Sequence, residues 1–110
     1  MYRLDDTVVE EKVNALASII TESEAYKKYR AASDKLKKDS DLFKKVMEMK
    51  RKNFYHQNEK KYDCDIKSEY RDVLKNETVI SYLKYEMIVL RNINYITEKY
   101  TEKIELDIKL

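Results

Sequence analysis

The chain of 110 residues contains no glycine and no proline. A chain of this length and average composition would contain about eight Gly and about five Pro residues. Tight β-hairpins depend on turns that contain Gly, and phosphate-binding loops need Gly where the backbone approaches the ligand closely. The composition therefore argues against β-rich folds, Rossmann units and P-loops, and it predicts an all-α protein.

The remaining composition indicates one folded helical domain. Apolar residues make up 43% of the chain, which is too many for a disordered protein. The longest apolar runs, such as Met87–Leu90, are too short to cross a membrane, and the N-terminal residues lack the features of a signal peptide. The single cysteine, Cys64, cannot form an internal disulfide. We therefore expect a cytoplasmic protein with a single domain over residues 1–110.

The longest periodic stretch runs from Thr78, a predicted N-cap, to about Ile104. A helix of this length would extend for roughly 40 Å, so other helices or a second copy of the chain must cover its apolar side. We expect the centre of this apolar stripe to form the core or a dimer seam, and it contains Leu83, Met87, Leu90 and Ile93.

Shorter amphipathic stretches precede the long helix. Thr7 and Glu10 have the spacing of a capping box, and Thr21 and Glu24 repeat it. The apolar periodicity predicts helices at about residues 7–21, 23–37, 41–57, 65–75 and 78–105, with the longest loop within residues 56–65. Because short connections favour antiparallel neighbours, we expect an antiparallel helical bundle of about five helices with a long C-terminal helix.

Charge is distributed unevenly along the chain. The net charge is −4 over residues 1–26, +8 over residues 27–61 and −2 over residues 62–110. The basic segment could attract RNA or an acidic protein surface, and its candidate face contains Lys44, Lys45, Lys50, Arg51 and Lys52. We favour the simpler interpretation, in which these cations are solvated and the acidic first helix partly neutralises them.

Six of the ten tyrosines lie on or beside the apolar stripes: Tyr26, Tyr29, Tyr70, Tyr82, Tyr95 and Tyr100. Tyr can bury its ring while its hydroxyl reaches water or a partner, which favours packing in a core or a subunit interface. A platform for stacking bases of single-stranded nucleic acid is the alternative.

One short segment contains every soft metal ligand of the chain, and its candidates are His56, Glu59, Asp63, Cys64 and Asp65. One Cys and one His do not match a zinc pattern and cannot complete a structural zinc site. We favour a polar helix end and loop, with a site shared across a dimer axis as the alternative. No spacing indicates nucleophilic catalysis. We therefore expect no enzyme activity and no catalytic, cofactor-binding or metal-binding residues.

The order of the segments resembles that of the YlbF/YmcA family of small helical bacterial proteins, over roughly residues 6–104. The chain carries the Glu-Ser-x-x-Tyr segment at Glu22–Tyr26 and the Val-x-x-Tyr-Leu segment at Val79–Leu83, before the long helix. The usual prolines after Asp39 and Asn76 are absent, as is the usual Gly near residues 62–64. The chain is therefore similar to a divergent member of that family.

This resemblance implies a bacterial, all-α, non-enzymatic regulatory protein that forms a homodimer or a higher homo-oligomer. The best-known relatives act in a complex with the protein YaaT, which is linked to RNase Y and mRNA processing, and they affect competence, biofilm formation and sporulation. Iron–sulfur clusters have been associated with that complex, but cluster binding needs several thiolates and this chain has only Cys64. We thus predict a cytoplasmic oligomeric adaptor without a cofactor or membrane insertion; an RNA-binding module that uses residues 27–61 is the alternative.

Overall fold

The computed structural model describes residues 3–58 and 64–109, which contain helices and no strand. The described residues form six helices: α1 (Asp6–Thr21), α2 (Glu24–Lys37), α3 (Ser40–Asn58), α4 (Cys64–Glu69), α5 (Arg71–Lys75) and α6 (Glu77–Lys109). The predicted all-α bundle with a long C-terminal helix is confirmed.

The first two helix starts depend on side chains that differ from the predicted caps. The Asp5 carboxylate accepts hydrogen bonds from the amides of Thr7 and Val8, at 2.9 and 3.3 Å, so Asp5 caps α1 and Thr7 lies inside the helix. At the start of α2 the Ser23 hydroxyl accepts from the amide of Tyr26 at 3.2 Å. The capping-box predictions for Thr7 and Thr21 were therefore wrong about which residue is the cap, because several adjacent residues carry suitable oxygens.

The predicted helix over residues 65–75 is interrupted at Tyr70. Its φ of −108° and ψ of 27° leave the helical region, and they separate α4 from α5. Burial of the Tyr70 side chain, which is 5% exposed, accompanies this break. No Gly or Pro marks the position, so this additional helix end could not be predicted from the residues alone.

The long helix α6 starts one residue before the predicted cap. The side-chain oxygen of Asn76 accepts from the amides of Thr78 and Val79, at 2.9 and 3.2 Å. Asn76 has an extended backbone, with φ −69° and ψ 129°, which is the usual conformation of an N-cap. The prediction of Thr78 as the N-cap was therefore wrong, and Asn76 is the cap.

The chain divides into two compact units, and the boundaries fall inside α2 and inside α6. Unit 1 comprises Met1–Lys28 and Tyr85–Leu110, and unit 2 comprises Tyr29–Lys84. In unit 2, α3 contacts α4 and α5, which also contact each other. The buried core of unit 2 consists of Ala32, Leu36, Val46, Met49, Tyr70, Val73, Val79 and Tyr82.

Unit 1 has far less buried surface than unit 2. None of the residues of α1, all of which are described, is buried. Across the described part of unit 1, Val89 is the only buried residue. Its apolar side chains are therefore largely accessible in a single chain.

Candidate protein-interaction surface

The apolar face of α1 is exposed along the whole helix. Val8, Val13 and Ile19 are each at least half exposed, although large aliphatic side chains favour burial. Together with Val9 and Leu16 they occupy a wide arc of the helix. An arc of this width offers contacts to more than one neighbouring helix.

The second part of α6 continues this exposed apolar surface within unit 1. Met87 and Leu90 are each 53% exposed, and Ile93 is 42% exposed. Leu83, in contrast, is half-buried and packs against the core of unit 2. The four residues expected to share one core or seam thus have two environments, and the three C-terminal ones face solvent in the single chain.

A groove of about 420 Å³ lies within unit 1, between α1 and α6. Aliphatic side chains form most of its wall, and its lining comprises Val13, Leu16, Ala17, Ile20, Thr21, Tyr26, Val89, Ile93, Ile96 and Thr97. The groove can accept apolar side chains of a partner. Among the described residues that line it, none has a charged side chain that would select a polar ligand.

The tyrosines occupy different environments. Tyr70 and Tyr82 are buried in unit 2, where the rings of Tyr29 and Tyr82 stack with centroids 5.6 Å apart. Tyr95 and Tyr100 are more than half exposed on α6. The packing interpretation therefore describes the unit 2 tyrosines, whereas Tyr95 and Tyr100 belong to the accessible surface of unit 1.

The candidate basic face is partly occupied by contacts within unit 2. The ammonium of Lys50 donates to the Tyr82 hydroxyl at 3.1 Å and lies 5.0 Å from the centre of its ring. Lys52 contacts Glu69 at 2.6 Å and Glu48 at 3.4 Å. Three candidates remain exposed on α3, namely Lys44, Lys45 and Arg51.

Lys52 belongs to a polar network that sequence reasoning missed. The hydroxyl of Tyr70, a buried residue, donates to Glu48 at 2.8 Å, and the Lys52 ammonium lies 5.4 Å from the centre of the Tyr70 ring. The Glu48–Lys52 pair has the i,i+4 spacing of a helical ion pair, so this half of the network was readable from the sequence. The contacts to Tyr70 and Glu69 depend on the packing of α3 against α4 and α5.

The network changes the ionisation of its members. The hydrogen bond from Tyr70, followed by that from Lys52, lowers the pKa of Glu48 below its ordinary value of 4.5. The hydrogen bond to Glu69 is the main reason that the pKa of Lys52 is raised. Burial, followed by the bond to Glu48, raises the pKa of Tyr70. These directions favour the ion-paired arrangement at neutral pH.

The structure describes no metal centre among the candidate ligands. Glu59 and Asp63 lie outside the described residues, and the description of His56, Cys64 and Asp65 is limited to their helical backbone. Within residues 3–58 and 64–109, no group of three or more His, Cys, Asp or Glu side chains is arranged to hold a metal ion. The described part of the chain also has no helix whose length and apolar character would allow it to cross a membrane.

Comparisons with curated proteins and with solved structures gave no match. The family model described as "Control of competence regulator ComK, YlbF/YmcA" matches residues 9–105. The matched range contains most of α1, all of α2 to α5 and α6 almost to its end. This range includes both the core of unit 2 and the exposed apolar surface of unit 1. The chain therefore belongs to the YlbF/YmcA family, whose description is that of a regulator.

Proposed function

We propose that the protein is a non-enzymatic regulatory adaptor that self-associates and binds other proteins through the apolar surface of unit 1. One observation carries this proposal: apolar side chains of α1 and of the second part of α6 are exposed, while Val89 alone is buried among the described residues of unit 1. Extended apolar patches on soluble domains mark protein-binding surfaces, because leaving them in water is unfavourable. The description of the family as a regulator supports the regulatory part.

Two features favour a protein as the occupant of this surface. The groove between α1 and α6 is lined mostly by aliphatic side chains, with two threonines and Tyr26, which suits the apolar face of a helix. The face of α1 is too wide for α6 alone, so a second helix can pack beside it. By the resemblance, the partners would be a second copy, family relatives, a YaaT-like protein or RNase Y in the bacterial cytoplasm. The pathway would be competence, biofilm formation, sporulation or mRNA processing.

An RNA-binding module is the second candidate function. Lys44, Lys45 and Arg51 are exposed on α3, and they belong to a segment with a net charge of +8. Phosphate groups bind such clusters through charge alone. Lys50 and Lys52 already have partners within unit 2, which reduces the charge available on this face.

Replacing Leu90 with Asp tests the adaptor function. The substitution places a carboxylate at the centre of the proposed surface, where a partner would have to desolvate it. We expect self-association to weaken by at least about thirtyfold. Sedimentation velocity over a range of protein concentrations measures the change, and circular dichroism checks that the helices persist.

The control is Leu106→Asp, on the opposite side of the same helix. Leu106 is 55% exposed, close to the 53% of Leu90, so the two substitutions differ mainly in position. Tagged wild-type protein should retain other proteins from cell extract after nuclease treatment, and Leu90→Asp should lose them. A monomeric wild type, or an oligomer that Leu90→Asp leaves unchanged, would refute self-association through this surface.

A further inference from the structure

A stripe of exposed residues follows one side of α6 within unit 1. Its members recur at alternating steps of four and three, which is the spacing of a coiled-coil seam. We call this set the seam stripe, and it comprises Met87, Leu90, Asn94, Thr97, Thr101 and Ile104.

The two threonines of the seam stripe present little free polarity. The Thr97 hydroxyl donates to the Ile93 carbonyl at 2.9 Å, and the Thr101 hydroxyl donates to the Thr97 carbonyl at 2.8 Å. Both hydroxyls are thus bonded within their own helix, so the methyl groups remain for packing. Asn94 is the one amide of the stripe, and it lies near the middle.

Charged residues flank the stripe on one side at intervals of seven. Arg91 is followed by Glu98, and one further step in each direction reaches Lys84 and Glu105. Seven residues are close to two helical turns, so these side chains follow the same edge. In chain order these four residues are positive, positive, negative and negative. When a second copy of the helix runs in the opposite direction, each positive residue therefore lies opposite a negative one.

We infer that α6 pairs with α6 of a second copy in antiparallel orientation, with Arg91 of each copy beside Glu98 of the other. This inference rests on the self-association proposed above, and it adds the orientation and the register. In this register Leu90 lies opposite Thr101 of the second copy, and Met87 lies opposite Ile104. Asn94 faces Thr97 of the second copy, close to the two-fold axis.

The charge pattern selects this register over its neighbours. A slip of one heptad in either direction places Arg91 opposite Arg91 of the second copy, or Glu98 opposite Glu98. Like charges at these flanking positions are unfavourable, and such positions set partner choice and orientation in coiled coils. The other edge of the stripe is compatible with the same register, because it brings exposed Ile93 beside exposed Tyr100 of the second copy.

A parallel pairing uses these residues less well. It places Arg91 beside Glu86 of the second copy, but it also places Glu98 beside Ile93 and Glu105 beside Tyr100, so two carboxylates meet no cation. Asn94 does not separate the two orientations, because it faces Thr97 of the second copy in the antiparallel register and Asn94 of the second copy in a parallel one. The charge pattern therefore carries the choice of the antiparallel arrangement.

The test uses two charge reversals, Arg91→Glu and Glu98→Arg, in the full chain. Each variant alone sets like charges opposite each other twice, so its homodimer should dissociate about tenfold more readily than wild type. A heterodimer of the two variants again has opposite charges at both positions. A homodimer of the double variant also has opposite charges at both positions, because both changes are present in each copy. We therefore expect a heterodimer from the mixture and a homodimer from the double variant, both near wild-type affinity. Native mass spectrometry distinguishes these species, and sedimentation equilibrium measures their affinity.

The control is Lys99→Glu, which changes the charge equally on the opposite side of α6. Lys99 is exposed and lies away from the seam stripe. Equal effects of Lys99→Glu and the two reversals, or no recovery in the mixture, would overturn the antiparallel register while the dimer itself stands. A wild type that is monomeric, or a dimer indifferent to Leu90→Asp, would instead reject the proposed self-association and this inference with it.

Discussion

At the scale of single residues, the hydroxyl of Tyr70 joins the core of unit 2 to charges at its surface. Tyr70 is 5% exposed, yet its hydroxyl donates to Glu48, which pairs with Lys52. The lowered pKa of Glu48 means that its carboxylate stabilises the fold above pH 4.5, and that this contribution is lost as the pH falls through the depressed pKa. The raised pKa values of Lys52 and Tyr70 act in the other direction, so their contributions are lost only as the pH rises into the alkaline range.

Replacing Tyr70 with Phe removes the largest cause of the Glu48 shift and keeps the ring. We expect the pKa of Glu48 to move towards 4.5. As the pH rises from about 3 to about 7, the free energy of unfolding should therefore increase less in the variant than in wild type. Urea unfolding at a series of pH values measures this difference. Tyr95→Phe, at an exposed position, should keep the wild-type dependence. Equal pH dependence in Tyr70→Phe and wild type would contradict the assignment.

The sequence predicted some residue environments and missed others for physical reasons. Periodicity placed Tyr70 and Tyr82 on apolar stripes, and both are buried. It did not reveal that Lys50 bonds to Tyr82, because those residues are 32 positions apart and meet only through packing. The same reason explains why the basic face has fewer available cations than the sequence indicated.

At the scale of helices, side chains take the place of Gly and Pro as boundary signals. Asp5, Ser23, Asp39 and Asn76 each accept a hydrogen bond from an amide in the first turn of the following helix. Such bonds satisfy donors that the helix itself leaves unpaired. The existence of the helices was therefore predictable from periodicity, whereas their first residues depended on which of several polar side chains makes the bond.

Asn76→Ala tests the cap of the longest helix. Two amides, those of Thr78 and Val79, lose their acceptor, so we expect unfolding to require about 1 kcal/mol less free energy. Thr78→Ala is the matched comparison, because it removes the residue that the sequence alone favoured as the cap, and it should have the smaller effect. Chemical denaturation of both variants gives the two values. A larger loss of unfolding free energy in Thr78→Ala than in Asn76→Ala would show that Thr78 is the cap.

At the scale of the whole molecule, charge and apolar surface are concentrated in different parts of the chain. Residues 27–61 hold a net charge of +8, whereas the exposed apolar side chains of α1 lie in the acidic segment that precedes them. The sequence predicted this charge distribution directly. It did not separate the buried part of the long apolar stripe from its exposed part, because periodicity identifies a face without identifying what covers it. Single-domain organisation over residues 1–110 stays a prediction.

RNA binding is the property that would distinguish the second candidate function. We expect no complex with single-stranded RNA at physiological salt, because only part of the basic face is available. Weak binding at low salt should fall steeply between about 50 and 200 mM. Fluorescence anisotropy measures it, with Lys44, Lys45 and Arg51 changed together to Glu.

Substituting Lys50 or Lys52 would also disturb contacts within unit 2, so they are less suitable. Tight binding at 200 mM salt (roughly) that the triple variant loses would place the RNA-binding function first.

The unburied first helix also has a consequence for how long a chain survives. A helix with no buried residue, as α1 is along its described length, opens at a low free-energy cost. Proteases cleave such transiently opened segments, and the rate of cleavage follows the population of the open form. A partner bound to the exposed apolar face of α1, as proposed above, would cover this helix, so chains made in excess of their partners would be degraded first. Turnover would then match the amount of the protein to the amount that is assembled.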